Sequence, residues 1–277
     1  MMYRMSTITG MNRMADFAFI GMGNMGQAML KGCLSCFPAD DFVFSRKDPV
    51  RGRRFAEETG AAFLPDNAAC AAAAKYIILA VKPQFYEEVI SQISPRTSRE
   101  NIIISLAPSY RIDALRLLFA NGVRIVRAMP NTPAAVGEGM TGISFSDDEY
   151  TDEERQTLDR FFRSFGRVEV VPERLMGAVT AASGSSPAFV YMMIEALADG
   201  VVRGGMPRSQ AYIFAAQAVL GSAKMVLETG RHPGELKDAV CSPGGTTIEG
   251  VAVLEEKGFR SSLIEAADAV LQRCADK

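Results

Sequence analysis

The chain has 277 residues, 48% apolar and 22% charged, with 30 basic against 32 acidic side chains and a formal net charge of −2. Such a chain can bury a sizeable core in one large or two ordinary domains, which excludes a disordered protein. The charge balance gives no electrostatic pull toward nucleic acid or an anionic membrane.

Residues 1–14 are short and polar, with Arg4 and Arg13 and no apolar run of signal-peptide length, and read as an N-terminal extension. Residues 17–20 form an apolar strand that ends at Gly21-Met22-Gly23-Asn24-Met25-Gly26, and residues 25–34 follow as a helix. Cys33 and Cys36 are spaced C-x-x-C, but no second pair or histidine cluster accompanies them among five cysteines. They read as reduced thiols of a cytoplasmic protein, with no metal site. Strands are expected at 42–44, 76–81, 102–106 and 124–128, separated by helical stretches such as 49–59 and 111–120. The strands are continuous apolar runs, as in sheets covered on both faces. Strand and helix alternate, which predicts an α/β fold with a doubly wound, Rossmann-type parallel sheet. A further strand is expected at 141–145. Thr151 and Glu154 form a capping box before a helix with Leu158, Phe161, Phe162 and Phe165 on one side. A last strand at 168–171 and then Pro172 close a dinucleotide-binding domain over 15–172.

Beyond Pro172 the pattern is helical, which predicts an all-α domain over 173–277. Residues 175–194 carry no charge over the length of a membrane span, but Ser183-Gly184-Ser185-Ser186-Pro187 interrupts them. The interruption reads as a break between two buried helices. Phe189, Met193, Leu197 and Val201 recur every four residues, and 209–223 contain no charge. A helix apolar all round must be covered on every side. A domain of about 100 residues rarely buries several such helices alone, so this segment is expected to form a subunit interface.

Two glycine-rich loops carry the chemistry. In the first, Gly21 makes the tight turn, Gly23 lets a pyrophosphate approach, and Gly26 lets helix pack on strand. Ser45-Arg46-Lys47 follow the second strand, where an acidic residue would favour the ribose hydroxyl of NAD. A hydroxyl and two cations suit a 2′-phosphate instead, so NADPH is the expected cofactor, with NADH as the alternative. Ala80-Val81-Lys82-Pro83 close the third strand, where ligands sit in such sheets. Lys82 either faces that ligand or is a surface lysine. The second loop, Ser242-Pro243-Gly244-Gly245-Thr246-Thr247, precedes a helix with Ile248, Val251 and Leu254 on one face. It reads either as a turn capped by Thr246 or Thr247, or as a cradle of N–H groups and hydroxyls for a small carboxylate. The single histidine, His232, precedes Pro233-Gly234 and reads as a turn residue.

The chain resembles the pyrroline-5-carboxylate reductase family over nearly its whole length after about residue 15. The resemblance is carried by Phe19 to Gly26, by Ala80-Val81-Lys82-Pro83-Gln84, and by Arg127-Ala128-Met129-Pro130-Asn131-Thr132-Pro133. Its most specific segment is Leu236-Lys237-Asp238-Ala239-Val240-Cys241-Ser242-Pro243-Gly244-Gly245-Thr246-Thr247-Ile248. The resemblance implies reduction of 1-pyrroline-5-carboxylate to L-proline by NAD(P)H. It implies that Ser242, Gly244, Gly245, Thr246 and Thr247 hold the substrate carboxylate. It implies cofactor contacts at Ser45, Arg46, Asn67, Ala80, Lys82 and Pro83, and a hydroxyl near nicotinamide and substrate at Thr180. Thr247 is the candidate partner of the ring nitrogen. Homodimers through the C-terminal helices, assembled further into decamers, are the implied quaternary structure. Ser186 departs from a glycine common in the family, and a left-handed backbone there would be strained by a side chain. Two other readings remain. One is a β-hydroxyacid-dehydrogenase-type reductase, which shares the first loop and would use a lysine such as Lys224 or Lys237. The other is a protein that binds NADPH without turnover.

Overall fold

The computed structural model describes residues 14–119 and 121–275. The expected extension therefore lies outside the described residues apart from Met14, as does Ala120. The chain divides into two compact units, one running to Gly184 and one over Ser185–Arg273.

The first unit begins β1 (Ala15–Ile20), α1 (Asn24–Cys33), β2 (Phe42–Ser45), α2 (Pro49–Thr59), β3 (Ala62–Phe63), α3 (Asn67–Ala72) and β4 (Ala74–Leu79). It continues α4 (Tyr86–Ile93), β5 (Ile102–Ser105), α5 (Ile112–Phe119), β6 (Arg124–Met129), β7 (Gly139–Phe145), α6 (Asp152–Arg163), β8 (Gly166–Val170) and α7 (Met176–Val179). The strands form one sheet in the order β3-β2-β1-β4-β5-β6-β7-β8. Alternate residues divide cleanly between two cores. Phe17, Phe19, Phe42, Phe44 and Ile78 face one side, and Ala18, Ile20, Val43, Ile77 and Leu79 face the other. Both faces are thus covered, which is why these strands read as unbroken apolar runs. On the first side the Phe17 ring stacks on Phe161 of α6, with centroids 4.6 Å apart.

The sheet departs from the all-parallel expectation at one junction. β6 and β7 pair antiparallel, while β7 and β8 return to parallel. A parallel crossover needs a dozen or more residues, and the short link through a 3-10 turn at Thr132–Val136 reverses the chain instead. The serine-rich segment also differs from expectation. Thr180–Ser185 form a π-helical turn, and Ser186 is the first residue of α8 (Ser186–Arg203), so helical backbone continues through the expected break. Pro187 sits in the first turn of α8, where its missing N–H costs nothing. Ser186 is in helical backbone, so the left-handed strain expected from its side chain does not arise.

The second unit comprises α8, α9 (Arg208–Thr229), α10 (Pro233–Val240), α11 (Thr246–Glu256) and most of α12 (Phe259–Ala275). Its buried core is small: Ala198, Ala211 and Ala215, where α8 and α9 pack. Ile213 and Phe214 of the uncharged α9 stay 68% and 64% exposed. Apolar surface on that scale marks an interaction face. Among the described residues, no helix is long and apolar enough to cross a membrane.

One buried ion cluster ties the first unit together. Glu154, at the third position of α6, closes the capping box with Thr151 and accepts two hydrogen bonds from Arg124, at 2.6 and 2.8 Å. Lys75 of β4 adds a third cation contact at 2.8 Å. Burial alone would raise the Glu154 pKa, but hydrogen bonds from Arg124, Lys75 and the Thr151 N–H reverse that and hold it at about 2, against an ordinary 4.5. A carboxyl lowered on folding stabilises fully above its unfolded value and loses that contribution as pH falls through the folded one. Glu154→Gln is therefore expected to cost on the order of 3 kcal/mol at pH 7. In urea unfolding at matched protein concentration, the gap to the parent chain narrows as pH falls from 4.5 toward 2.

Candidate functional site

The strand order reverses at β1, whose neighbours are β2 and β4. Connections leave this point on opposite sides of the sheet, which opens a crevice at the carboxyl ends of β1 and β4. The first glycine loop sits there. Gly21 has φ +91°, and a Cβ on it would lie 2.4 Å from Val81 Cγ1. A Cβ on Gly23 would meet nothing within 4 Å. Gly23 is the N-cap of α1, and no side chain caps that helix. By contrast, the carboxylates of Asp48 and Asp66 cap α2 and α3. Among the described residues, no side chain covers the first-turn N–H groups and positive end of α1. A cavity of about 480 Å³ lies here, lined by Gly23, Asn24, Met25, Lys82, Leu106 and Pro130 among others. Ala80 and Val81 also line it, while Pro83 opens the turn that follows.

Beside it, Arg46, Arg51 and Arg54 converge with Gln27 on a second cavity of about 400 Å³. Only Arg46 was expected. Arg51 and Arg54 stand three apart on α2, a spacing that faces one side of a helix and was open to recognition in the sequence. Ser45 behaves differently from its reading as an offered hydroxyl. It is fully buried and donates to Asn67 Oδ1 at 2.6 Å, and Asn67 Nδ2 donates on to Gln92. Lys47 is exposed and does not line the arginine cavity. Asp48, the one acid close after β2, spends its carboxylate on the N–H groups of Val50 and Arg51.

Two residues that the sequence left without a role set the walls of the crevice. The Tyr86 hydroxyl donates to Leu79 O at 2.9 Å and accepts from Leu106 N–H at 3.1 Å, joining the ends of β4 and β5. Burial pushes its pKa up to about 12, so it remains a neutral donor. Asn131 donates to Ser183 O at 3.0 Å and accepts from Met140 N–H at 2.8 Å, fixing the π-helical turn. Thr180 opens that turn and donates its hydroxyl proton to Met176 O at 2.9 Å. Its lone pairs are left for an incoming donor.

The second loop is a tight turn. Gly245 N–H donates to Ser242 O at 3.0 Å, Pro243 sits at the first central position and Gly244 has φ +70° at the second. This is the pattern of a type II turn. The N-cap of α11 is Gly245, with no side-chain cap. Thr246 and Thr247 therefore do not cap the helix, as one reading expected; both are exposed. The α11 N-terminus repeats the arrangement at α1. His232, by comparison, caps α10 by accepting the Gly234 N–H on Nδ1 at 3.1 Å, a structural use of the single histidine. Lys237 pairs with Asp238 and Lys224 is exposed on α9. A larger cavity of about 1220 Å³ lies by α5 and β8, where Arg116 pairs with Asp148, and Glu173 pairs with Arg127 behind the wall.

Comparison with known proteins agrees with this geometry. Residues 173–277 match the family model for pyrroline-5-carboxylate reductase dimerisation, and 16–109 match one described as NADP oxidoreductase coenzyme F420-dependent. The pyrroline-5-carboxylate reductase of Escherichia coli (strain K12) is 45% identical over 94% of this chain and 95% of its own. This chain belongs to the pyrroline-5-carboxylate reductase family. A solved member from Coxiella burnetii is 30% identical and superposes with TM-score 0.88 over 95% of this chain and 98% of that one. Another, from Plasmodium falciparum with NADP bound, is 27% identical with TM-score 0.84, covering 94% and 97%. Membership makes the chain an NAD(P)H-dependent oxidoreductase. The open approach at Gly23, the uncapped α1 and the arginine cavity all fit NADPH.

The two glycines separate stability from binding. Gly23→Ala adds a methyl group that touches no protein atom, so its melting temperature should match the parent while NADPH affinity, by fluorescence titration, falls roughly tenfold or more. Gly21→Ala should lower the melting temperature itself, since its φ and the Val81 contact both reject a side chain.

Proposed function

We propose that this chain reduces 1-pyrroline-5-carboxylate to L-proline with NADPH, the final step of proline synthesis. The observation that carries this reading is the second loop: a type II turn leading into an uncapped α11, with the exposed hydroxyls of Thr246 and Thr247 in its first turn. It lies within the segment matched by the family's own dimerisation model. An anion site of that size suits a single carboxylate. Ser242, Thr246, Thr247 and the N–H groups around Gly244 and Gly245 hold it. Gly21 to Gly26 hold the pyrophosphate, and Arg46, with Arg51 and Arg54, holds the 2′-phosphate. Asn67 acts by fixing Ser45, and Ala80 to Pro83 form the wall beside the nicotinamide.

When bound, NADPH supplies the hydride. The chain's work is to orient the cyclic imine and exclude competing positions. An imine taken up as its protonated iminium becomes a neutral secondary amine on receiving hydride, so no strong general acid is needed. Thr247, directly or through a water, bonds the ring nitrogen. Thr180, its own proton committed to Met176, accepts an N–H from substrate or carboxamide. The helical segment over 173–277 pairs two chains, and the dimers assemble to a decamer in the cytoplasm.

The test is NADPH oxidation with 1-pyrroline-5-carboxylate, with 3-hydroxy acids as the competing substrate class. Turnover of the imine supports the reading. Binding of NADPH without turnover, or turnover of hydroxy acids alone, overturns it. Arg46→Asp and Arg54→Asp should each lower kcat/KM for NADPH roughly tenfold and leave that for NADH nearly unchanged. Thr247→Val should lower kcat and move the pH profile; full turnover with an unchanged profile removes Thr247 from the mechanism.

A further inference from the structure

β8 ends the sheet, and among the described residues no strand lies beyond it. On its inner side Gly139 N–H donates to Phe165 O at 2.9 Å and Val171 N–H donates to Ile143 O at 2.8 Å. Within a strand, one residue's N–H and C=O point to the same side, and the side alternates along the chain. The odd-numbered residues of β8 therefore bond β7. Gly166, Val168 and Val170 turn their N–H and C=O outward. Natural edges are blunted by short strands, charged side chains (lysine above all), proline, a bulge or a covering element, and charges of opposite sign blunt an edge least against a second copy of itself. β8 reads Gly166-Arg167-Val168-Glu169-Val170 and contains neither proline nor lysine. Its exposed side chains Arg167 and Glu169 are of opposite charge, and Val170 is 65% exposed.

We infer that β8 pairs antiparallel with β8 of a second copy of this chain, about a two-fold axis through Val168. In that register Val168 faces the partner's Val168, and Gly166 faces the partner's Val170. These are the residues with outward N–H and C=O groups, so each pair exchanges two hydrogen bonds. Arg167 then stands opposite the partner's Glu169, twice by symmetry, in non-hydrogen-bonded pairs where side chains approach most closely. The charges select this register. Moving the axis to position 167 sets arginine against arginine, and moving it to 169 sets glutamate against glutamate. The contact is self-complementary, as a two-fold interface requires, and lies outside the segment at 173–277 matched by the dimerisation model.

Cross-linking tests the register directly. Cα atoms in a non-hydrogen-bonded pair lie about 4.5 Å apart, within disulfide range. The full chain carrying both Arg167→Cys and Glu169→Cys should run after mild oxidation as a covalent pair of 30.0 kDa chains. Either substitution alone should leave the cross-link at the level of the parent. No cross-link in the double variant, or an equal one in Arg167→Cys alone, overturns the proposal. Charge reversal checks it without new thiols. Arg167→Glu should raise the concentration at which assemblies dissociate roughly tenfold in sedimentation at low salt, and adding Glu169→Arg should restore it. An unchanged dissociation, or a loss that the second substitution does not repair, also overturns it.

Discussion

The first unit is organised by the close approach of two backbones where β1 and β4 leave the sheet. Gly21 lies so near Val81 that even a methyl group would overlap it. That approach lets α1 begin at once, with its N-terminus over the crevice between the two strands. The strand-order reversal makes the crevice, and the bare turn determines what faces it. Leaving α1 with glycine at its N-cap forgoes roughly a few tenths of a kcal/mol that α2 and α3 take from Asp48 and Asp66. The helix end is kept free for a ligand's charge.

The surrounding groups hold that geometry from three directions. The aromatic layer of Phe17, Phe42 and Phe161 fixes α6 on one face of the sheet. Glu154, Arg124 and Lys75 tie the far ends of α6, β6 and β4. Tyr86 joins β4 to β5 at the crevice end, where main-chain groups leave the ladder and need partners. Most of these contacts cross between elements far apart in sequence. Sheet curvature and crevice width are therefore properties of the whole unit.

The strands and the first loop were legible in the sequence because their signals are local. Buried parallel strands show as unbroken apolar runs, and the Gly21, Gly23, Gly26 spacing has a steric cause at each position. The capping box of α6 was legible for the same reason. What escaped depends on distant pairings. The reversal of β7 follows from a short connection, which only matters once β6 has its neighbour. The commitment of Ser45 to Asn67 across 22 residues cannot be seen in the triplet Ser45-Arg46-Lys47. Arg51 and Arg54 were legible as neighbours on one face of α2, but their convergence with Arg46 on one cavity was not. At the second loop, spacing leaned to a capped turn over a carboxylate site. The structure removes the threonine cap by giving Gly245, with no side-chain cap, the N-cap position.

The division of burial between the units has a consequence for how the molecule is made. The first unit encloses two large cores of its own. The second buries little more than three alanines and presents Ile213 and Phe214 to solvent. Its helices are synthesised after the first unit. A newly made chain therefore passes through a stage with a finished sheet domain and an adhesive helical tail. Completion is then a second-order event, paced by how often two chains meet, and sparse expression lengthens the interval in which chaperones must shield that tail.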